Sequence, residues 1–467
     1  METILETVNS AVWGVPALLG ILGVGLYLSI RTGFAQIRLL PKALRAFLAT
    51  FTKKEKENDG VSPFQALCTA LAATVGTGNL AGVAGAIAIG GPGAIFWMWI
   101  SALLGMVTKF AEATLSVRYR EKNVAGEWVG GPMYMIRNAM PTSWRWLATV
   151  YCFFGVVAAF GVGNATQINT VIGGVNQALT AFGGTESTWG NLLMGVVLAV
   201  LICGILLGGL KKIGTMAEKL VPLASVCYLL LGIGVLIARA QVIPQALASI
   251  VTGAFSPGAV TGGMIGSFFM GLRTGVSRGV FTNEAGMGTA GIAHAAAQVK
   301  HPCQQGLMGI MEVFLDTIVI CTMTALVILV SGTEIPYGQD TGIALTAQAF
   351  SQVYGGWVSV LIAGTLCCFA IATVLGWGLY GARCAQYLFG DGVWKKFVFI
   401  QGGAVILGAV LKTSTVWLLS ETVNALMAIP NLIVLAYLTP ELCRLTKQFC
   451  KKDFPFHRKH AILMKNK

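Results

Sequence analysis

Eleven mostly apolar stretches, none shorter than 15 residues, recur along the 467-residue chain and constrain it more than any other feature. They cover residues 11–31, 62–88, 92–118, 146–180, 190–210, 215–238, 257–282, 305–331, 352–382, 397–411 and 414–438. A helix needs about 20 such residues to cross the hydrocarbon core of a bilayer. The third-repeated lengths, 146–180 and 352–382, suffice for tilted or projecting helices. Only 11% of residues are charged, against about 25% in soluble domains. The pattern predicts an all-α polytopic membrane protein of eleven spans. The first ten residues hold no Lys or Arg, so the first stretch lacks the basic flank of a cleaved leader and reads as a retained span.

The net charge of +13 would point to an anionic partner in a soluble protein. Here its distribution matters more. If the spans alternate, 27 of the 32 Lys and Arg residues fall on one side, from Arg31–Lys56, Arg118–Arg145, Lys211–Lys219, Lys300, Arg383–Lys396 and the tail from Arg444 on. The loops 181–189 and 332–351 on the other side hold none. Basic loops stay cytoplasmic, which predicts an outside N-terminus, a cytoplasmic C-terminus and a bacterial inner-membrane location. A nucleic-acid partner is excluded on the same ground. None of the eleven cysteines lies in an outer loop, so no disulfide framework is expected; they read as small packing residues.

The spans repeat with an offset of about 200 residues. Two tandem units of five spans would have opposite orientations, because five is odd, and this is the inverted-repeat plan of many secondary transporters. The expected organisation is an extra N-terminal span with a basic loop (1–61), a first repeat (62–239), a second, inverted repeat (257–438) and a basic tail (439–467). In such folds the first helix of each unit is broken at mid-membrane, and its freed backbone groups bind substrate and ions. Span 62–88 holds Gly76-Thr77-Gly78-Asn79, where glycine weakens the helix by about 1 kcal/mol each and permits close backbone approach. Span 257–282 is glycine-rich from Gly262 to Gly275 and carries Arg273, which places its break there. Close helix packing through small residues is the competing reading of both runs.

Several blocks are also familiar. The segment Gly90-Gly-Pro-Gly-Ala-Ile-Phe-Trp-Met-Trp-Ile-Ser-Ala-Leu-Leu-Gly105 resembles a characteristic block of the sodium:alanine (alanine or glycine:cation) symporter family. So do Gly76–Asn79, Gly130-Gly-Pro-Met-Tyr-Met135 and Arg273-Thr-Gly-Val-Ser-Arg-Gly-Val-Phe-Thr-Asn-Glu-Ala-Gly-Met-Gly-Thr-Ala290. The likeness runs from about residue 60 to about residue 440. It implies a leucine-transporter-like fold, sodium as coupling ion with no other cofactor, and alanine, glycine or a similar small neutral amino acid as substrate. Val75–Asn79 also resembles the broken core helix of neurotransmitter:sodium symporters, where the Asn and neighbouring carbonyls hold sodium.

A neutral amino acid needs both its charges satisfied in a dry pocket, and sodium takes oxygen ligands. Backbone N–H groups at Thr77 and Gly78 sit at a positive half-helix end suited to a carboxylate. Asn79, with the carbonyls of Ala72 and Ala73, is the expected sodium site; a buried helix cap is the alternative for Asn79. Asn164 and Gln167 share one helix face and either contact substrate or bond between helices. On span 352–382, Thr365 is a further sodium-ligand candidate. Thr373 and Trp377, one turn apart, offer a hydroxyl beside an apolar wall. Phe268 and Phe269 either cap the pocket or pack.

Ionisable groups inside spans are functional by default. Lys109 and Glu112 read as a local pair at the membrane interface, Glu312 and Asp316 as neighbours one turn apart, and Glu421 as an outer-half acid. Glu284 reads as tied to basic neighbours such as Arg278, and all four histidines fall on the cytoplasmic side. The sequence holds no phosphate-binding loop and no His near a nucleophile, so no enzyme chemistry is expected. A sodium-coupled importer is the leading reading, a proton-coupled carrier the rival within transport, and a channel the rival class.

Overall fold

A computed structural model describes residues 15–52, 60–181, 183–263, 267–339, 342–411 and 414–451. The expectations that rest on residues 1–14, Lys53, Lys54, Lys56, Met264–Gly266 and the tail from 452 lie outside the described residues, as does the side chain of Glu421. The regular structure of the described chain is helical apart from a two-residue hairpin pairing Glu121–Lys122 with Trp128–Val129.

The principal helices are α1 (Val15–Thr32), α2 (Leu40–Thr52), α3 (Pro63–Thr74), α4 (Val83–Gly90), α5 (Gly93–Arg118), α6 (Pro132–Ala139), α7 (Trp146–Phe160), α8 (Thr166–Ala181), α9 (Thr188–Leu206) and α10 (Gly209–Ala238). They continue as α11 (Ile243–Phe255), α12 (Phe268–Asn283), α13 (Thr289–His294), α14 (Pro302–Val313), α15 (Thr322–Val330), α16 (Ile343–Tyr354), α17 (Val358–Phe389), α18 (Trp394–Val410) and α19 (Ser414–Lys451). Among the described residues, eight helical stretches are long and apolar enough to cross a membrane, or nine with the bent pair Pro63–Thr74 and Gly78–Gly90. That pair turns by 53° at the expected position in span 62–88. Span 257–282 is absent from the eight because the chain there is divided into a short turn, Pro257–Thr261, and α12. Helices α11 and α16 fall in segments that hydropathy leaves as loops.

Glycine faces let these helices meet. A Cβ at Gly275 would lie 2.2 Å from the Ala94 carbonyl oxygen, one at Gly306 2.2 Å from Thr114 Oγ1, and one at Gly309 2.7 Å from the Lys109 carbonyl oxygen. α5 is therefore sandwiched between α12 and α14 at backbone distance, the geometry that small residues provide where no water drives association. Any added methyl group would force helices apart, at a cost of about 1–3 kcal/mol.

Three segments are wound as π-helix: Gly78–Gly82, Gly161–Ala165 and Phe314–Cys321. Such turns leave carbonyls without their usual partners and concentrate at functional sites. All three lie next to residues that converge on the 53° bend.

Candidate functional site

Helix α3 ends at Thr74, and the Gly76 N–H turns away from the α-helical ladder to donate to Asn79 Oδ1 at 2.9 Å. The carbonyl of Ala72 thereby loses the donor it would have four residues on. The chain resumes as helix from about Thr77, so the first-turn N–H groups of the second half point into the break. Asn79 does act as a cap, and it is also tied to a second element. Its Nδ2 donates to Asp316 Oδ1 at 2.7 Å and to the Asp316 carbonyl at 3.2 Å, while Thr317 Oγ1 donates to Asp316 Oδ2 at 2.8 Å. Asn79 and Asp316 are both fully buried.

Other elements close on the same point. A Cβ at Gly76 would lie 2.7 Å from Thr373 Oγ1 and 3.4 Å from Gln167 Oε1, which brings α17 and α8 to the break. One at Gly78 would meet the Thr282 methyl at 3.0 Å, which adds α12. Thr77 Oγ1 and Gln167 Oε1 are buried without a hydrogen-bond partner among the described residues. Such atoms are costly in an apolar interior unless something binds them. Asn164 is next to this group but bonds between helices, donating to the Gln401 carbonyl at 2.8 Å. Trp377 packs its side chain against Gly163, whose Cβ would lie 2.2 Å from Trp377 Cβ.

Three expected members are placed elsewhere. Thr365 bonds back to the Leu361 carbonyl and lies eight residues, about 12 Å of helix, from Thr373. Phe268 stacks edge-on against Trp97 at 5.5 Å, and Phe269 is 75% exposed. Phe268 therefore packs beside the N-terminal half of α5 and Phe269 faces outward, so neither closes on the break. Ala73 is buried against α17, with a Cβ on Gly376 2.9 Å from it.

Within the glycine run, left-handed Gly262 (φ 65°) and Gly263 (φ 87°) end the short helix Pro257–Thr261 ahead of α12. Gly271, Gly275 and Gly279 sit inside continuous α12 and pack on Gly90, Ala94 and Ser101. The chain breaks again at Glu284–Gly288, where Glu284 (φ 53°), Gly286 (φ 96°) and Gly288 (φ 78°) all take the left-handed conformation. A left-handed non-glycine residue is uncommon. This break is held from outside: Glu112 Oε1 accepts from Gly286 N at 2.9 Å, Gly288 N at 3.0 Å and Asn431 Nδ2 at 2.8 Å.

The charged groups pair differently from their sequence order. Lys109 and Glu112 are fully buried, not interfacial, and Lys109 Nζ meets Glu312 at 2.9 Å rather than Glu112. His294 is buried with them, its Nε2 3.0 Å from Glu312 Oε2 and its Nδ1 2.6 Å from Gln305. Glu284 accepts from Trp377 Nε1 at 2.8 Å and from Thr289 Oγ1 at 2.6 Å in place of a basic neighbour. Asn431 is the site residue to which the sequence assigned no role; Gly76 was read as part of the break, and Glu112 and Asp316 as acids inside spans but without these partners. For the acids the available signal was a carboxylate in mid-span; for Asn431 there was none beyond polarity.

Both approaches to the break are covered. On one side Thr346 Oγ1 donates to the Leu80 carbonyl and Gly338 N to the Ala88 carbonyl. On the other, Arg120 donates to the Ala295 and Ala297 carbonyls.

The model of the sodium:alanine symporter family matches residues 1–460. The chain belongs to the sodium:alanine symporter family. It is 42% identical to the sodium/alanine symporter AgcS of Methanococcus maripaludis over 453 residues, covering 96% of this chain and 97% of the relative. An uncharacterized transporter of Haemophilus influenzae is 41% identical over 456 residues, covering 97% of each, and the probable sodium/glutamine symporter GlnT of Bacillus subtilis is 35% identical, covering 97% of this chain and 91% of the relative. Among solved structures, that of MhsT in complex with L-phenylalanine superposes with a TM-score of 0.58 at 14% identity, over 83% of this chain and 98% of the other. That likeness places the symporter in the leucine-transporter fold. The symporter is thus a multi-pass membrane protein and a cation-coupled amino-acid transporter, not an enzyme.

Proposed function

We propose that the symporter imports alanine, glycine or a similar small neutral amino acid together with sodium by alternating access, across a bacterial inner membrane with its C-terminus in the cytoplasm. The observation that carries this reading is the convergence at Gly76. The backbone of the first break, Gln167 Oε1 and Thr373 Oγ1 meet within a methyl group's reach. The substrate carboxylate binds the N–H groups of Thr77 and Gly78. Gln167 and Thr373 orient it, and Trp377 walls its side chain.

Sodium binds at Asn79 and Asp316 with the carbonyls of Ala72 and Ala73, an all-oxygen set that suits a hard cation. The Asp316 carboxylate supplies the charge that amide and carbonyl ligands lack. The second repeat (257–438) moves against the first (62–239), opening in turn the Leu80 and Ala88 contacts and the Arg120 contacts. The concentration of basic residues in one set of loops supports the orientation.

Uptake of radiolabelled alanine into proteoliposomes tests this. Uptake should follow an inward sodium gradient and stop when choline replaces sodium; equal uptake in choline overturns the coupling, and uptake that never saturates would favour a channel.

A further inference from the structure

We infer that Glu284 binds a proton in this conformation, and that the protonated acid holds Trp377 in place. Four carboxyl groups are buried in the helical interior, Glu112, Glu284, Glu312 and Asp316, none more than 3% exposed, with Lys109 and His294 buried beside them. A buried carboxylate costs several kcal/mol unless a cation or several donors satisfy it. Glu312 has both Lys109 and His294 against it. Glu112 has three N–H donors on one oxygen. Asp316 has the sodium ion of the proposed symport.

Glu284 has neither the cations that face Glu312, nor the three donors of Glu112, nor the proposed ion of Asp316, with which it shares the pattern of one neutral donor per oxygen. Its two bonds come from neutral groups, one per oxygen: Trp377 Nε1 on Oε1 and Thr289 Oγ1 on Oε2. A hydroxyl both donates and accepts. The 2.6 Å separation from Thr289 therefore fits an acid O–H donating to Thr289 Oγ1, while the acid carbonyl accepts from Trp377. Both oxygens are then satisfied with no charge to compensate.

The backbone adds independent weight. Glu284 occupies the left-handed region at φ 53°, at a cost of about 1–2 kcal/mol that a glycine would avoid. The position keeps a carboxyl side chain in spite of this.

The groups facing it come from every neighbouring helix. Lys109 and Glu112 approach from α5, Glu312 from α14, His294 from α13 by way of Glu312, and Tyr380 from α17. Tyr380 stacks on Trp377 at 5.9 Å. Lys109 is already engaged by Glu312, so an ionised Glu284 would have no cation of its own. The proton comes from the aqueous phase on whichever side is open, and its loss would push Glu284 away from Glu312 and release the indole. The role of Trp377 in uptake rests on the proposed pocket; the proton itself does not.

Infrared difference spectroscopy on the reconstituted full-length protein tests the site directly. Wild type minus E284Q should show the carbonyl band of a protonated carboxylic acid, shifted in deuterium oxide and lost at high pH. W377F should move that band to higher frequency, because the acid carbonyl loses its donor. Absence of the band, or a band unmoved in W377F, overturns the proposal. In uptake measured from about pH 6 to about pH 9, the wild-type rate should fall by up to about tenfold per unit above the midpoint. E284Q, which stays neutral and can still bond to both partners, should show no such fall. Identical profiles overturn the proposal, whereas sodium-independent uptake with the band present would count against the symport reading alone.

Discussion

Asn79 Nδ2 lies 2.7 Å from Asp316 Oδ1, a buried bond that joins the first broken helix to a π-wound segment 237 residues later in the chain. The Asn79 amide is used at both ends, its oxygen capping Gly76 and its nitrogen held by the carboxylate. The cap and ligand readings of Asn79 are therefore not exclusive. Asp316 fixes the amide so that a lone pair of Oδ1 is left over, and brings a full negative charge to the same place.

Asp316→Asn keeps the shape and removes the charge. The sodium concentration for half-maximal uptake should rise at least about tenfold, or about 1.4 kcal/mol, with the melting temperature little changed. An unaltered sodium dependence would remove Asp316 from the ion site.

Gly76→Ala should abolish alanine uptake in a folded protein, because the new methyl group would sit 2.7 Å from Thr373 Oγ1. Adding Thr373→Ala clears that hydroxyl, so the double variant should recover substrate binding in a scintillation proximity assay. If it binds no better than the single variant, the two residues do not share the pocket.

Gly163→Ala drives a methyl group against Trp377, 2.2 Å from its Cβ and 2.4 Å from its Cγ. The indole must swing inward, so the KM for alanine should rise more than the KM for glycine. A uniform loss for both substrates would mean that Trp377 does not line the side-chain pocket.

Lys109→Met leaves Glu312 buried without its lysine, and loss of one partner of such a pair costs about 3–5 kcal/mol. The melting temperature in detergent should drop sharply, and Lys109→Met with Glu312→Gln should regain most of it. A single variant as stable as wild type would contradict the pairing.

How much of this was legible beforehand follows from the range of each signal. Hydropathy reports on solvent residue by residue, so most spans appear within a few residues of their helices, as at 92–118 against Gly93–Arg118. The bend at Gly76 was legible because the residues that weaken the helix also form the break. The break at Glu284–Gly288 was not, since Gly271 and Gly275 of the glycine run are helix-packing residues whose meaning depends on α5 lying against them. Glycine permits an unusual backbone and a close approach alike, and only the neighbour distinguishes the two.

The sequence by itself determined the all-α membrane class, the family blocks and the first broken helix, because these depend on composition and local pattern. The tertiary structure alone decided that Lys109 pairs with Glu312, that Glu112 holds the break at Glu284–Gly288, and that Asp316 meets Asn79. Polar groups in a dry interior must find partners, and which partner each finds is set by helix packing between residues up to 319 positions apart.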